Sequence, residues 1–175
     1  VFLDRDGVIN RSLVVDNKPY APRRMNDFRL LPGASQAVWR LKEAGLSVIV
    51  VTNQPDIGNG LVDVALVEAM NERVRQAMPV DDILVCPHRQ TDDCPCRKPK
   101  PGMLEEGARR HGIDLSRSFM VGDREGDVVA GQKAGCYTIF VQRIRAQRGG
   151  CSPDASAKCL PHAARMILDR LDKGF

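Results

Sequence analysis

Long apolar runs are missing from this chain. The richest of them, Leu46-Ser47-Val48-Ile49-Val50-Val51, falls far short of the ~18 apolar residues that a membrane-spanning helix needs, so a spanning segment is excluded. Aromatic residues are scarce, at 5% of 175 positions. They leave little for nucleobases to stack on, which argues against a nucleic-acid partner. No charge of one sign dominates: 26 Lys and Arg stand against 22 Asp and Glu, a formal net charge of +4. The densest basic stretch, Arg143-Ile144-Arg145-Ala146-Gln147-Arg148, reads as a solvated loop, the default for a short charge run. The 15 glycines follow no triplet period, which excludes collagen. No internal repeat, low-complexity tract or secretory signal pattern is visible. The chain opens at Val1 inside an apolar run, so residues preceding it are left open.

The remaining composition, 43% hydrophobic and 27% charged, is that of a soluble globular protein and too apolar for a disordered one. The length suits one domain over residues 1–175, with ample material for a core. Six cysteines could suggest disulfides, but Cys86, Cys94 and Cys96 crowd around His88 while Cys136, Cys151 and Cys159 are scattered. That placement looks like a metal cluster and argues against a disulfide framework, so the expected setting is reducing and cytoplasmic.

Short apolar runs alternate with helical patterns. Val1-Phe2-Leu3 ends a first strand. Residues 11–32 lack periodicity and read as a long loop. Pro32-Gly33 opens a helix whose apolar face is Ala34, Ala37, Val38, Leu41 and Ala44, and Gly45 ends it. The β-branched run 46–51 reads as a strand buried on both faces, and 53–60 as a loop. A second helix is predicted over 63–78, with Val64, Val67, Met70 and Val74 on one side. Ile83-Leu84-Val85 is a third strand, and 86–102 an irregular segment rich in Cys, His and Pro. A helix from Pro101 to about His111 follows, then a strand at Phe119-Met120-Val121, a helix over 125–134 and a strand over 137–141. Residues 143–158 read as loop and 160–172 as a last helix. This alternation defines an α/β fold, a doubly wound parallel sheet with helices on both faces.

In such a sheet ligands sit beyond the carboxyl ends of the strands. The first strand delivers Asp4 and Asp6 there, the second Thr52 and Asn53, and the fourth Gly122, Asp123 and, one helical turn on, Asp127. The third leads through the Cys/His segment to Arg97 and Lys98. In an extended backbone Asp4 and Asp6 share one side, and Gly7 permits a sharp departure. Read alone, Asp4-Arg5-Asp6-Gly7 could be a solvated turn. With Asp123 and Lys98 arriving at the same edge, three oxygen ligands without a soft competitor suit Mg²⁺. The chemistry that fits is phosphoryl transfer. A carboxylate such as Asp4 can attack phosphorus, and Asp6 can protonate the leaving oxygen and then deprotonate water. Mg²⁺, Lys98 and the Thr52 hydroxyl would offset the charge on the phosphoryl oxygens.

Cys86-Pro87-His88 followed by Cys94-Pro95-Cys96 places four ligands within eleven residues. This set matches tetrahedral Zn²⁺; free thiols or a disulfide are the alternatives. With four protein ligands the site is closed, and its expected job is structural: to fold the 86–102 loop and position Arg97 and Lys98.

Together these segments resemble the haloacid dehalogenase superfamily of phosphatases, most closely its zinc-bearing branch. The resemblance rests on Asp4-Arg5-Asp6-Gly7, Thr52-Asn53-Gln54, the Cys/His set with Arg97-Lys98-Pro99, and Val121-Gly122-Asp123 with Asp127, and it runs to about residue 142. It implies Asp4 as nucleophile, Asp6 as acid and base, and Thr52 and Lys98 on the transferring phosphate. It also implies Mg²⁺ on Asp4, Asp6 (through its carbonyl) and Asp123, with Asp127 behind them. Asn53, Gln54, Arg97 and Arg124 fall at substrate-contacting positions. No large cap domain is implied, and the expected partner is a small phosphorylated sugar met by a monomer.

Lys98-Pro99-Lys100-Pro101-Gly102-Met103 is similar to members that remove the 7-phosphate of D-glycero-D-manno-heptose 1,7-bisphosphate; histidinol phosphate or another sugar phosphate is the alternative. Three departures bear on that choice. Pro55-Asp56 replaces the family's usual Ser-Gly, Asn59 replaces a basic residue, and the loop over 12–20 looks long.

Overall fold

The computed structural model describes residues 1–16, 18–142, 150 and 152–174. The basic stretch 143–148 and Cys151 lie outside the described residues. Six strands form one parallel sheet: β1 (Phe2–Leu3), β4 (Ile49–Asn53), β5 (Asp82–Cys86), β6 (Phe119–Gly122), β7 (Tyr137–Val141) and β8 (Ala155–Ala157), in the order β5-β4-β1-β6-β7-β8. A separate antiparallel hairpin pairs β2 (Leu13–Val15) with β3 (Lys18–Tyr20). The helices are α1 (Ala34–Glu43), α2 (Pro55–Gly58), α3 (Val64–Ala77), α4 (Gly102–His111), α5 (Glu125–Lys133) and α6 (Leu160–Leu171). No described helix is long and apolar enough to cross a membrane.

The period-2 geometry of strands explains why both faces are covered. Phe2, Ile49, Val51 and Met120 share one face with Met103, Leu104 and Ala108 of α4 and Ala130 of α5. Leu3, Val50, Val121, Ile139 and Val141 share the other with Ala37, Val38 and Leu41 of α1, Met70 and Val74 of α3, and Ile167 of α6. A strand serving two faces cannot alternate polar and apolar residues, hence the continuous Val/Ile runs. The helices meet the opposite condition. In α1 only the stripe Ala34, Ala37, Val38 and Leu41 is buried, and Trp39 points to solvent.

The described structure is the doubly wound parallel sheet expected, with three additions. The expected loop over 11–32 contains the β2–β3 hairpin and a short 3₁₀ turn at Met25–Asp27. The loop over 53–60 contains the single turn α2, begun by Pro55 where its missing N–H is harmless. Within 143–158, Ala155-Ser156-Ala157 adds a sixth strand beside β7. The second strand also begins later than expected, at Ile49, and runs on to Asn53. Among the described residues no large cap domain stands over the sheet; the hairpin borders the edge where the strands end.

Candidate active site

Strand register builds the site. Leu3 lies opposite both Val50 of β4 and Val121 of β6, and the Asp4 N–H donates to the Val121 carbonyl at 2.9 Å. The residues just past these positions reach one sheet edge. Asp4, Asp6, Thr52, Asn53, Arg97, Lys98, Asp123, Arg124 and Asp127 all line a single cavity of about 1530 Å³.

At its floor Lys98, 5% exposed, joins two acids. Its Nζ lies 2.6 Å from Asp4 Oδ1 and 2.6 Å from Asp127 Oδ1, and donates also to the Val51 carbonyl at 2.8 Å. Burial alone disfavours the Lys98 ammonium, but the Asp127 and Asp4 carboxylates outweigh it and hold the pKa above its ordinary value. Burial pushes the Asp4 carboxyl up to about 6; Lys98 opposes that rise, while Asp127 and Asp6 add to it. Asp127 is fixed by its own helix: at the third position of α5 its Oδ2 accepts the Arg124 backbone N–H at 3.0 Å.

Asp4, Asp123 and Asp127 each offer a carboxylate oxygen, and these lie within 4.8 Å of one another. Three hard oxygens at that separation fit one small divalent cation with bonds of about 2.0–2.1 Å and waters completing its shell. Two glycines make the crowding possible. A side chain at Gly7, where φ is +106°, would overlap the Asp123 carboxylate, and one at Gly122 would overlap Asp127. Gly7→Ala is therefore expected to destabilise the fold by more than about 1 kcal/mol through its backbone alone. Displacing Asp123 is expected to cut kcat/KM about 100-fold. Thermal melts alongside kinetics check this, and a variant of normal activity would overturn the account of Gly7.

Asp6 does not share one side with Asp4, as an extended backbone would have it; the ion contact expected of Asp6 runs through its carbonyl. Its carboxylate is not in the trio but is turned into a hydrogen-bonded cage. Arg5 Nη2 donates to both oxygens at 3.1 and 3.3 Å, Asn10 Nδ2 at 2.8 Å, Gln54 Nε2 at 2.6 Å and Thr52 Oγ1 at 3.5 Å. Burial pushes its pKa up, but Arg5 and the Asn10 and Gln54 amides outweigh that and hold it below the usual carboxylate range. Sequence reasoning passed over Arg5 and Asn10, because nothing local marks a buried guanidinium or amide as a partner to Asp6.

The expected substrate contacts divide. Arg97 lines the cavity, and its Nη1 is buried without a hydrogen-bond partner. Arg124 donates through Nη2 to the Pro19 carbonyl at 3.1 Å, tying the hairpin to the start of α5. Asn53 spends both ends of its amide on the Lys98 backbone, at 2.9 and 3.2 Å. Gln54 corrects its expectation. It is 1% exposed and bonded to Asp6 and to Thr52 Oγ1, so it supports Asp6 from behind the cavity wall and does not face substrate. One of the departures noted in the sequence, Asp56, is engaged here: Arg23, just past the hairpin, forks onto it at 2.7 and 3.3 Å.

Beyond β5 the second constellation assembles. Cys86 Sγ lies 3.7 Å from His88 Nδ1 and 3.6 Å from Cys94 Sγ, and Cys96 Sγ lies 3.3 Å from His88 Nδ1 and 3.4 Å from Cys94 Sγ. A tetrahedron with bonds of about 2.0–2.3 Å has edges of about 3.3–3.8 Å, so these atoms fit around one ion with two kinds of donor, thiolate and imidazole. Burial pushes the Cys86 thiol up to about 12.

Comparison with known proteins places this site in a family. The HAD-hydrolase-like family model matches residues 95–173. The D-glycero-beta-D-manno-heptose-1,7-bisphosphate 7-phosphatase of Pseudomonas aeruginosa is 40% identical over 147 residues, 81% of this chain and 80% of that protein. The enzyme of the same name from Bordetella bronchiseptica is 36% identical over 173 residues, 94% and 93% of the two chains. A crystal structure of D,D-heptose 1,7-bisphosphate phosphatase from B. bronchiseptica, complexed with magnesium and phosphate, superposes with a TM-score of 0.85 at 34% identity, covering 97% of this chain and 98% of that one. The chain belongs to the haloacid dehalogenase-like hydrolases and, within them, to the phosphatase branch that these relatives represent.

Proposed function

We propose that this phosphatase removes the 7-phosphate of a D-glycero-D-manno-heptose 1,7-bisphosphate through an aspartyl-phosphate on Asp4. The observation that carries the chemistry is the Lys98 ammonium seated 2.6 Å from both Asp4 and Asp127, with Asp123 beside them at the sheet edge. The substrate is supported by the names of the relatives and by Lys98-Pro99-Lys100-Pro101-Gly102-Met103.

In this reading an Asp4 oxygen attacks phosphorus as the bond to the sugar oxygen breaks. That oxygen takes a proton from Asp6. Asp6 is anionic in the resting site; it takes up that proton from solvent as the arriving phosphoryl charge raises its proton affinity, and gives its last proton back to solvent once phosphate has gone. Asp6 then removes a proton from water, whose oxygen attacks the same phosphorus; phosphate leaves and the Asp4 carboxylate is restored. Lys98, Thr52 and Arg97 line the cavity, which supports their neutralising the phosphate oxygens. Mg²⁺ held by Asp4 and Asp123, with Asp127 or the Asp6 carbonyl, would supply positive charge against the phosphoryl oxygens. We assign Zn²⁺ to Cys86, His88, Cys94 and Cys96 as a structural ion. Three cysteines gathered on one ion, the others scattered, support a reducing, cytoplasmic setting.

The test compares kcat/KM, with Mg²⁺, on both anomers of the heptose bisphosphate and on histidinol phosphate. A heptose preference of about 100-fold or more, worth about 2.7 kcal/mol of transition-state binding, is expected. A preference for histidinol phosphate would overturn the substrate while leaving Asp4, Asp6, Lys98 and Asp123 in their roles. It would make the Pro55-Asp56 loop, pinned by Arg23, the origin of the altered choice.

A further inference from the structure

Arg5 stands between Asp4 and Asp6 in sequence, yet it is 0% exposed and does not line the cavity. Its guanidinium meets little besides one acid, one amide and one ring. Nη2 grips both oxygens of Asp6, Nη1 donates to Asn71 Oδ1 at 2.8 Å, and the Cζ lies 5.7 Å from the centroid of Phe28. Nε is buried without a partner. A charged fork so poorly supplied with bonds is held in place by each one it makes, because a buried charged donor left unmatched is expensive.

Asn71 is the unexpected member. It sits on α3, 66 positions from Arg5 in the chain, 1% exposed, among the apolar residues Val67, Met70 and Val74 that anchor this helix. Packing alone would favour an aliphatic side chain at such a position, since a buried amide needs partners. Its oxygen serves Arg5 and its nitrogen reaches Glu68 Oε2 at 3.4 Å.

We propose that Asn71 is a positioning residue for the reaction: it fixes the Arg5 guanidinium, which in turn aims the Asp6 carboxylate at the leaving oxygen. The inference rests on the reading of Asp6 as general acid and base. It extends the machinery to a helix that contributes nothing to the cavity. Without the Asn71 oxygen the fork turns toward other acceptors and Asp6 loses its aim. Attack by Asp4 does not depend on Asp6, whereas proton delivery does.

Leaving groups separate the two steps. An aliphatic alkoxide needs the proton from Asp6; p-nitrophenolate leaves without one. The comparison uses kcat/KM, which reports events up to formation of the aspartyl-phosphate. Asn71→Leu is expected to lose about tenfold on an aliphatic phosphate ester, a part of the 10²–10⁴-fold that general acid catalysis supplies. On p-nitrophenyl phosphate it is expected to lose less than about twofold. Asn71→Asp, which keeps an acceptor in place, is expected to retain the native ratio of the two substrates. Should Asn71→Leu not fold, Asn71→Ser, too short to reach Arg5, is read instead. Equal losses on both esters, or no loss on either, would overturn the inference and leave Asn71 a packing residue. Asp6→Asn serves as the reference and is expected to lose far more on the aliphatic ester than on the aryl one. If it does not, the role of Asp6 falls, and the role of Asn71 with it. If Asp6→Asn discriminates and Asn71→Leu does not, only the inference about Asn71 falls.

Discussion

Asp4→Asn is expected to abolish turnover, with kcat falling about 10⁴-fold or more, the scale seen when a covalent nucleophile is removed. An amide oxygen cannot replace the carboxylate as attacking group, and the substitution also withdraws one of two negative charges from Lys98. The second, on Asp127, remains 2.6 Å from Nζ, so the buried ammonium is not stranded and the variant should fold. That separation matters, because breaking a buried ion pair outright destabilises by about 3–5 kcal/mol and would confuse loss of chemistry with loss of structure. Two measurements are needed. Steady-state turnover should vanish, and acid quenching of the wild-type reaction should trap phosphate on the protein while the variant traps none. A folded Asp4→Asn protein with near-normal turnover would remove Asp4 from the nucleophilic role, and with it the two-step scheme.

The sheet was legible in the sequence where the physics is local. A strand buried on both faces must be continuously apolar, so 46–51 and 137–141 announced themselves, and 3.6-residue stripes marked α1 and α3. β8 did not, because Ala155-Ser156-Ala157 is small, short and only partly buried; it is a strand by virtue of β7 beside it. The hairpin was hidden because three-residue strands with a proline at Pro19 carry almost no periodic signal. For the site, the rule that strand ends converge was enough to gather Asp4, Thr52, Lys98 and Asp123 at one edge. It did not orient the side chains. The reading that the Asp4 and Asp6 carboxylates share one side assumed extended backbone, but β1 ends at Leu3 and the chain turns at Gly7 with φ +106°. That turn sends the Asp6 carboxylate to Arg5 and Asn10 and leaves Asp127 to complete the trio. Gln54 was misplaced for the same reason: its partner, Asp6, lies 48 residues away, and local pattern carries no information about a hydrogen bond of that span.

Removing the Cys/His ligands proposed to hold zinc should injure activity at a distance. Residues 86–102 have no core of their own beyond Cys86, which is 0% exposed, and Met103 just past the segment. What shapes the segment is backbone packed against backbone. The Gly58 N–H donates to the Pro87 carbonyl at 2.9 Å, and Gly102 has no room for a side chain against Pro95. Four ligands spread over both limbs would close the loop that ends in Arg97 and Lys98. Structural zinc contributes about 10–16 kcal/mol in small zinc-dependent folds, so the segment should not keep its shape without the ion. Cys96→Ser, or exhaustive chelation followed by removal of the chelator and return of Mg²⁺ alone, is expected to expose 86–102 to proteolysis and to cut kcat/KM at least about 100-fold, the scale set by losing one preorganised charge from the phosphoryl site. The rest of the sheet should keep its stability, because β4, β1 and β6 pair without the segment. Chelation should also be easier at lower pH. Ion binding expels the thiol protons, and burial already favours the protonated Cys86. Metal analysis of the purified protein should find about one zinc per chain. A zinc-free protein that keeps full activity would separate the Cys/His cluster from catalysis and leave Lys98 positioned by Asp4, Asp127, the Val51 carbonyl and the Asn53 amide.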